Sequence, residues 1–198
     1  MPKGEYIPLQ VECPYTVKGE RGSRIDAPAK ALLDFEKLGF LSDVQVDREQ
    51  VRFTFADQQI RTWLRDIGSV LELYVYQACL DTGLFNDVRT SAVVDWEGDG
   101  RQGNVTNEID VMAMQGILPV FISCKTCEIS TEALNELAIL RDRFGGSSAK
   151  ACIVTTKNCQ AITRHRATEL DISVIDLSDL KAGKIGERIR SLMLSRHL

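Results

Sequence analysis

From Val88 to Lys125, apolar and polar residues alternate in three successive runs, and this period of two constrains the fold more than any other feature. The first run places Val88, Thr90, Ala92, Val94 and Trp96 on one face. The second, Val105 to Gln115, sets Asn107, Ile109, Val111 and Ala113 against Glu108, Asp110 and Met112. The third, Val120 to Lys125, sets Phe121, Ser123 and Lys125 against Val120, Ile122 and Cys124. The polar turn Glu97 to Asn104 joins the first pair, and a short link holding Gly116 and Pro119 joins the second. Short links of this kind predict an antiparallel meander in which the second and third strands are neighbours.

Helices are expected on both sides of these strands. Ile60, Trp63, Leu64, Ile67, Leu71, Tyr74, Val75 and Ala78 recur at helical spacing, so residues 57–80 read as one helix ending before Gly83. Ser130 is placed to cap a helix through Leu134, Leu137, Ala138 and Arg141 that stops at Gly145-Gly146. The apolar run Ala151 to Val154 predicts a buried strand. A helix over 161–169, a strand over 172–177 and a helix over 178–196 complete an order of αβββαβ followed by αβα. Before residue 57 the pattern is weaker. Pro2, Pro8 and Pro14 with Gly19 and Gly22 predict an extended arm or linker over 1–26. A short helix over 27–38 closed by Gly39, and a hairpin over 44–55 turning at Asp47 to Gln50, form a small, winged-helix-like appendage.

Composition narrows the class. With 44% hydrophobic and 26% charged residues among 198, the chain can bury a core, and neither disorder nor a fibrous rod fits. No run approaches the length of about 20 apolar residues that spans a bilayer, and the start carries no apolar signal core. A cytoplasmic protein with no membrane partner, and with six reduced cysteines, is the expectation. Twenty-four basic against 28 acidic residues give a net charge of −4, so no overall positive charge marks a polyanionic partner. The charge is uneven, however. Residues 81–110 are acidic and 141–166 basic, as a metal site acting on a phosphate backbone requires and as two solvated faces also produce.

The chemistry concentrates in Asn107-Glu108-Ile109-Asp110 and Ser123-Cys124-Lys125. A carboxylate on one strand and a lysine on its hairpin partner can converge on one point, and a lysine in a sheet calls for a charged partner. Such a pair would hold a hard cation beside an ammonium; it is also what a simple cross-strand ion pair looks like. Cys124 and Cys127 form C-x-x-C with no second pair at zinc-like spacing, and His165 and His197 are the only histidines.

An Asp followed about a dozen residues later by x-x-Lys on the next strand, in an αβββαβ order, resembles the PD-(D/E)xK restriction-endonuclease-like nucleases over residues 57–177. Glu72, Asn107 to Val111, Cys124-Lys125-Thr126 and Gly145-Gly146 more closely resemble the C-terminal nuclease part of CARF-containing CRISPR ancillary nucleases. The resemblance implies an α/β fold with a central mixed sheet flanked by helices, the nuclease-like domain spanning 57–198 and residues 27–56 serving as a connecting region. It implies Mg2+ or Mn2+ as cofactor, Asp110 as metal ligand, Lys125 as catalytic lysine, Glu72 completing or orienting the metal shell, and the Cys124 carbonyl as a further ligand. One position departs from the motif. Ser123 stands where the second carboxylate belongs, and Glu108, Glu132 or Glu136 could replace it.

Two function classes follow. The first is a metal-dependent endonuclease cutting DNA, with RNA as a second candidate substrate, with little sequence specificity in CRISPR-linked antiviral defence. It would act as a homodimer, with a CARF sensor domain on the same full-length protein or on a partner. The second is a non-catalytic nucleic-acid-binding or assembly module that kept the fold and lost the site through Ser123.

Overall fold

The computed structural model describes residues 8–19, 22–96, 106–146 and 148–194. The turn expected over 97–104 lies outside them. The chain divides into two compact units, one up to Asp66 and one from Ile67 onward.

In the first unit, strands β1 (Gln10–Pro14), β2 (Thr16–Lys18) and β3 (Arg24–Asp26) precede helix α1 (Ala29–Lys37). Strands β4 (Leu41–Val46) and β5 (Gln50–Phe55) follow, then helix α2 (Gln58–Arg65). The β4–β5 hairpin forms as its alternation predicts, with Asp47 Oδ1 accepting from the Glu49 and Gln50 amides at 2.8 and 2.7 Å. Within the stretch expected as an extended arm, residues 10–14, 16–18 and 24–26 are instead built into sheets. β1 pairs antiparallel with β5 in the order β1-β5-β4, and β2 pairs with β3. Prolines and glycines mark turns without forbidding the short strands between them, and Pro14 sits at a strand end, where no ladder donor is needed.

The second unit starts with helix α3 (Ile67–Thr82) and runs through strands β6 (Asp87–Asp95), β7 (Thr106–Gln115) and β8 (Leu118–Lys125). Helix α4 (Thr131–Gly145), strand β9 (Lys150–Thr155), helix α5 (Ala161–Glu169), strand β10 (Ile172–Ile175) and helices α6 (Leu177–Lys181) and α7 (Ile185–Leu194) complete it. The five strands form one mixed sheet in the order β10-β9-β8-β7-β6. The β6, β7 and β8 neighbours are antiparallel; β8, β9 and β10 are parallel. One face buries Val75, Cys79, Val111, Ile122, Cys152 and Ile189 under α3 and α7. The other buries Ile109, Phe121, Leu134, Leu137, Ile153 and Ala167 under α4 and α5. This is the αβββαβ core with helices on both faces of a mixed sheet, as the sequence order implies.

Two expected helices are divided. The run 57–80 breaks at Asp66, whose φ of −100° and ψ of 99° are extended, so α2 and α3 are separate. Aspartate is a weak helix former, and an apolar stripe that stays in phase across the break conceals it. The last helix is two segments, because Gly183 adopts φ +67° and ends the first.

The end of α4 depends on Gly145. A β-carbon there would fall 2.6 Å from Phe121 Cε2 and closer still to Ala149 Cβ, so the helix can approach the sheet only without a side chain. The next residue, Gly146, turns the chain at φ +68°.

Candidate active site

The site lies where β7 and β8 part. Their ladder runs from Gln115↔Leu118 to Val111↔Ile122 and goes no further towards Asp110. Beyond it the Asp110 carboxylate takes over from the backbone. Oδ2 accepts from the Cys124 N–H at 2.6 Å and from the Ser123 hydroxyl at 3.2 Å. The separation opens a pocket of about 50 Å3 under α4, lined by Glu108, Asp110, Ser123, Lys125 and Glu136 among others. Asp110 and Lys125 are thus brought to one cavity on the face their alternation predicts.

Lys125 is half-buried, and among the described residues it makes no ion pair. That removes the cross-strand ion pair as the reason for its position. Asp110 is occupied on one oxygen only; among the described residues Oδ1 accepts no hydrogen bond.

Of the three candidate substitutes for the missing motif carboxylate, Glu136 is the one that both lines the pocket and accepts a hydrogen bond there. It projects from α4, and its Oε1 accepts from Asn107 Nδ2 at 2.8 Å. Asn107 Oδ1 in turn accepts from the Trp96 indole N–H. Trp96 packs edge-on against Phe144, with ring centroids 5.4 Å apart, and the Arg143 guanidinium lies 5.6 Å from its ring centre. Glu108 also lines the pocket and is exposed like Glu136, but among the described residues its carboxylate accepts no hydrogen bond. Glu132 lies outside it in the first turn of α4, where hydrogen bonds from its own amide and from Ser130 hold its carboxyl below the usual range. The sequence places Trp96 only on a strand face and Asn107 on a strand face and in the motif segment, with no role for either. The one signal for them was polar Asn107 in an otherwise apolar register.

Glu72 is half-buried on α3 and is not among the pocket-lining residues. Its charge is felt at Cys124. That thiol, on the α3 side of the sheet, is pushed far up by burial first and then by the charges of Asp110 and Glu72. A buried thiol shifted this way keeps its proton, and the Cys124 contact with Asp110 is made by its backbone N–H.

The pocket's donors are carboxylate and hydroxyl oxygens, the set that suits a hard cation such as Mg2+ or Mn2+. Among the described residues no three His, Cys, Asp or Glu side chains already converge as a cage. That is compatible with Mg2+, which is commonly held by one or two carboxylates together with water and substrate phosphate.

A mixed sheet flanked by helices, with carboxylates and a lysine at one pocket, fits an endonuclease domain. The comparisons agree: residues 59–195 match the family described as Card1-like, endonuclease domain, and the chain belongs to that family. Among solved structures, protein VC1899 from Vibrio cholerae is similar at a TM-score of 0.67 and 21% identity, over 93% of this chain and 46% of that one. Can2 from Sulfobacillus thermosulfidooxidans, solved in complex with cyclic tetra-adenylate, is similar at 0.59 and 17% identity, over 81% and 44%. The chain spans less than half the length of either structure. No curated protein matches it. Among the described residues, no helix is long and apolar enough to cross a membrane.

Proposed function

We propose that this chain is a metal-dependent endonuclease that hydrolyses phosphodiester bonds in DNA, and in RNA, with little sequence specificity. One observation carries the reading: Asp110, Glu136 and an ammonium with no ion-pair partner among the described residues, Lys125, line one small pocket. In this assignment Glu136 replaces the carboxylate that Ser123 lacks, so the charged-ligand count is restored from the helix instead of the strand. Bound there, Mg2+ or Mn2+ would supply Lewis-acid stabilisation of the phosphate and a more acidic water. Asp110 and Glu136 supply charged oxygens to it, with the Cys124 carbonyl as a further donor on the strength of the family resemblance. Ser123 donates to Asp110 Oδ2, which leaves Oδ1 as the oxygen to offer the ion. Lys125 holds the non-bridging phosphate oxygen and the attacking water in line. Glu72, from the other side of the sheet, is read as orienting the shell, and Glu108 as a solvated neighbour of it.

On the strength of the motif resemblance we read its place as CRISPR-linked antiviral defence, in the cytoplasm. We read the chain as a homodimer governed by a CARF sensor domain carried on a longer form of the chain or on a partner. Isothermal calorimetry with Mn2+ and cleavage of supercoiled plasmid test the assignment together. Binding that Asp110→Ala and Glu136→Gln each weaken supports it. The second reading, a non-catalytic nucleic-acid-binding or assembly module, draws on Ser123 standing where the motif carboxylate belongs. It is the correct one if the wild-type protein binds no Mn2+ and cuts nothing.

A further inference from the structure

The sheet carries a break in its alternation at one pair of positions. Val88 pairs with Ala113, and both are buried on the α3 and α7 face. Four residues along each strand, Ala92 pairs with Ile109, and both pack on the α4 face. An even separation along a regular strand keeps side chains on one face, so both strands change face between these pairs. The residues at the change are Ser91 and Asp110, and the pairing skips them, passing from Thr90↔Val111 to Ala92↔Ile109. Ser91 has φ +51°, a left-handed conformation that L-residues seldom adopt within a strand. Alternation without the break would set Val88 to Trp96 on one face and Asn107 to Ala113 on one face, as the sequence reading expects. Asn107 would then point to the α3 side. In the structure it reaches Glu136 on α4 instead.

We propose that the left-handed turn at Ser91 is a positioning device for the active site. It swings the outer ends of β6 and β7 so that Trp96 and Asn107 face α4 and hold Glu136 at the pocket that Asp110 lines. Ser91 and Asn107 act through Glu136, and neither touches substrate. The inference rests on the reading of Glu136 as a metal-site carboxylate, while the geometry has a reporter of its own. Trp96 is one of two tryptophans, and its indole N–H is the donor to Asn107.

The test uses the full chain with Ser91→Val, Ser91→Gly and Ser91→Asn. Valine disfavours positive φ, whereas glycine and asparagine accept it. Ser91→Val should speed hydrogen exchange at the Trp96 indole by about tenfold or more without metal, as local opening does, and weaken Mn2+ binding. The glycine and asparagine variants should keep both at the wild-type level, with the Tm of Ser91→Gly equal to or above wild type. Wild-type indole protection and Mn2+ affinity in Ser91→Val overturn the proposal. Should that variant fail to fold, Ser91→Gly decides: faster indole exchange or a lowered Tm there rejects the backbone argument. If the wild type binds no Mn2+, the metal reading falls, and the indole comparison still decides the geometry.

Discussion

The Cys124 N–H donates to Asp110 Oδ2 at 2.6 Å, where β7 and β8 no longer exchange backbone hydrogen bonds. A side chain has taken the place of a rung of the ladder. Asp110→Asn keeps an acceptor there, so its Tm should stay near wild type while plasmid cleavage falls by about a hundredfold. Asp110→Ala leaves a half-buried N–H without a partner and should in addition lose about 1–3 kcal/mol of stability. Thermal unfolding and cleavage measured on both variants separate the two roles. Equal stability of the pair would show that the bond does not support the sheet.

Lys125 has no ion-pair partner among the described residues, so its removal leaves no buried carboxylate stranded. Lys125→Ala should cut plasmid cleavage by about a hundredfold, a loss of the size seen on removing one transition-state stabiliser. Denaturant unfolding should change little. A large fall in stability with cleavage preserved would return Lys125 to a structural role.

Ser123 tests where the second carboxylate sits. Its hydroxyl lies 3.2 Å from Asp110 Oδ2, so Ser123→Glu brings a second charge against Asp110. With Glu136 in place, Ser123→Glu should leave Mn2+ affinity unchanged or lower. In a Glu136→Gln background the same change should restore binding, because a charged oxygen has been returned to the site. Calorimetry on the four proteins reads this directly. A gain from Ser123→Glu in the presence of Glu136 would mean that the helix carboxylate is not a ligand.

Gly145 is a packing requirement. Its missing β-carbon would lie 2.6 Å from Phe121 Cε2, so Gly145→Ala must push α4 away from the sheet. The expected cost is about 1–3 kcal/mol by urea denaturation, and Mn2+ affinity should fall with it because Glu136 rides on the same helix.

Asp176 sets an acid limit. It is only 5% exposed. Burial by itself would raise its carboxyl, but hydrogen bonds from Ser178 and from the amides of Cys159, Ser178 and Asp179 outweigh burial and hold it below the usual range. Arg164 also pairs with it at 2.8 Å. A depressed carboxyl contributes stability above its unfolded range, and that contribution disappears as pH falls through the depressed value. Asp176→Asn should therefore destabilise the protein by about 1–3 kcal/mol at pH 7. In urea titrations the gap from wild type should close below about pH 4, the ordinary carboxyl range. A gap independent of pH would assign the effect to shape instead of charge.

Much of this architecture was legible because its signals are local. The alternation of Phe121, Ser123 and Lys125, the cap at Ser130 and the stop at Gly145-Gly146 each depend on a few neighbouring residues, and each appears in the fold. Asp110 and Lys125 could be placed on one face by parity alone. Parity also failed, and in one place. Ser91 carries no side-chain signal for a left-handed backbone, so the faces of Ala92, Val94, Asn107 and Ile109 were assigned one flip away from where they lie. The same flip hid the contact of Asn107 with Glu136, a tertiary hydrogen bond between residues 29 positions apart. Asp66 escaped notice for a related reason: two helices in phase share one stripe.

The splicing of Asp110 into the sheet has a bearing on descent. A lineage that no longer needed to cut nucleic acid would still keep an acceptor for the Cys124 amide, so Asp110 can outlast the activity proposed for it. Glu136, exposed on α4, accepts from the Asn107 side chain but stands in for no rung of the sheet. Among close descendants of this chain, Glu136 is the residue whose loss would record that the blade had gone blunt, while an intact Asp110 would record only that the sheet still closes.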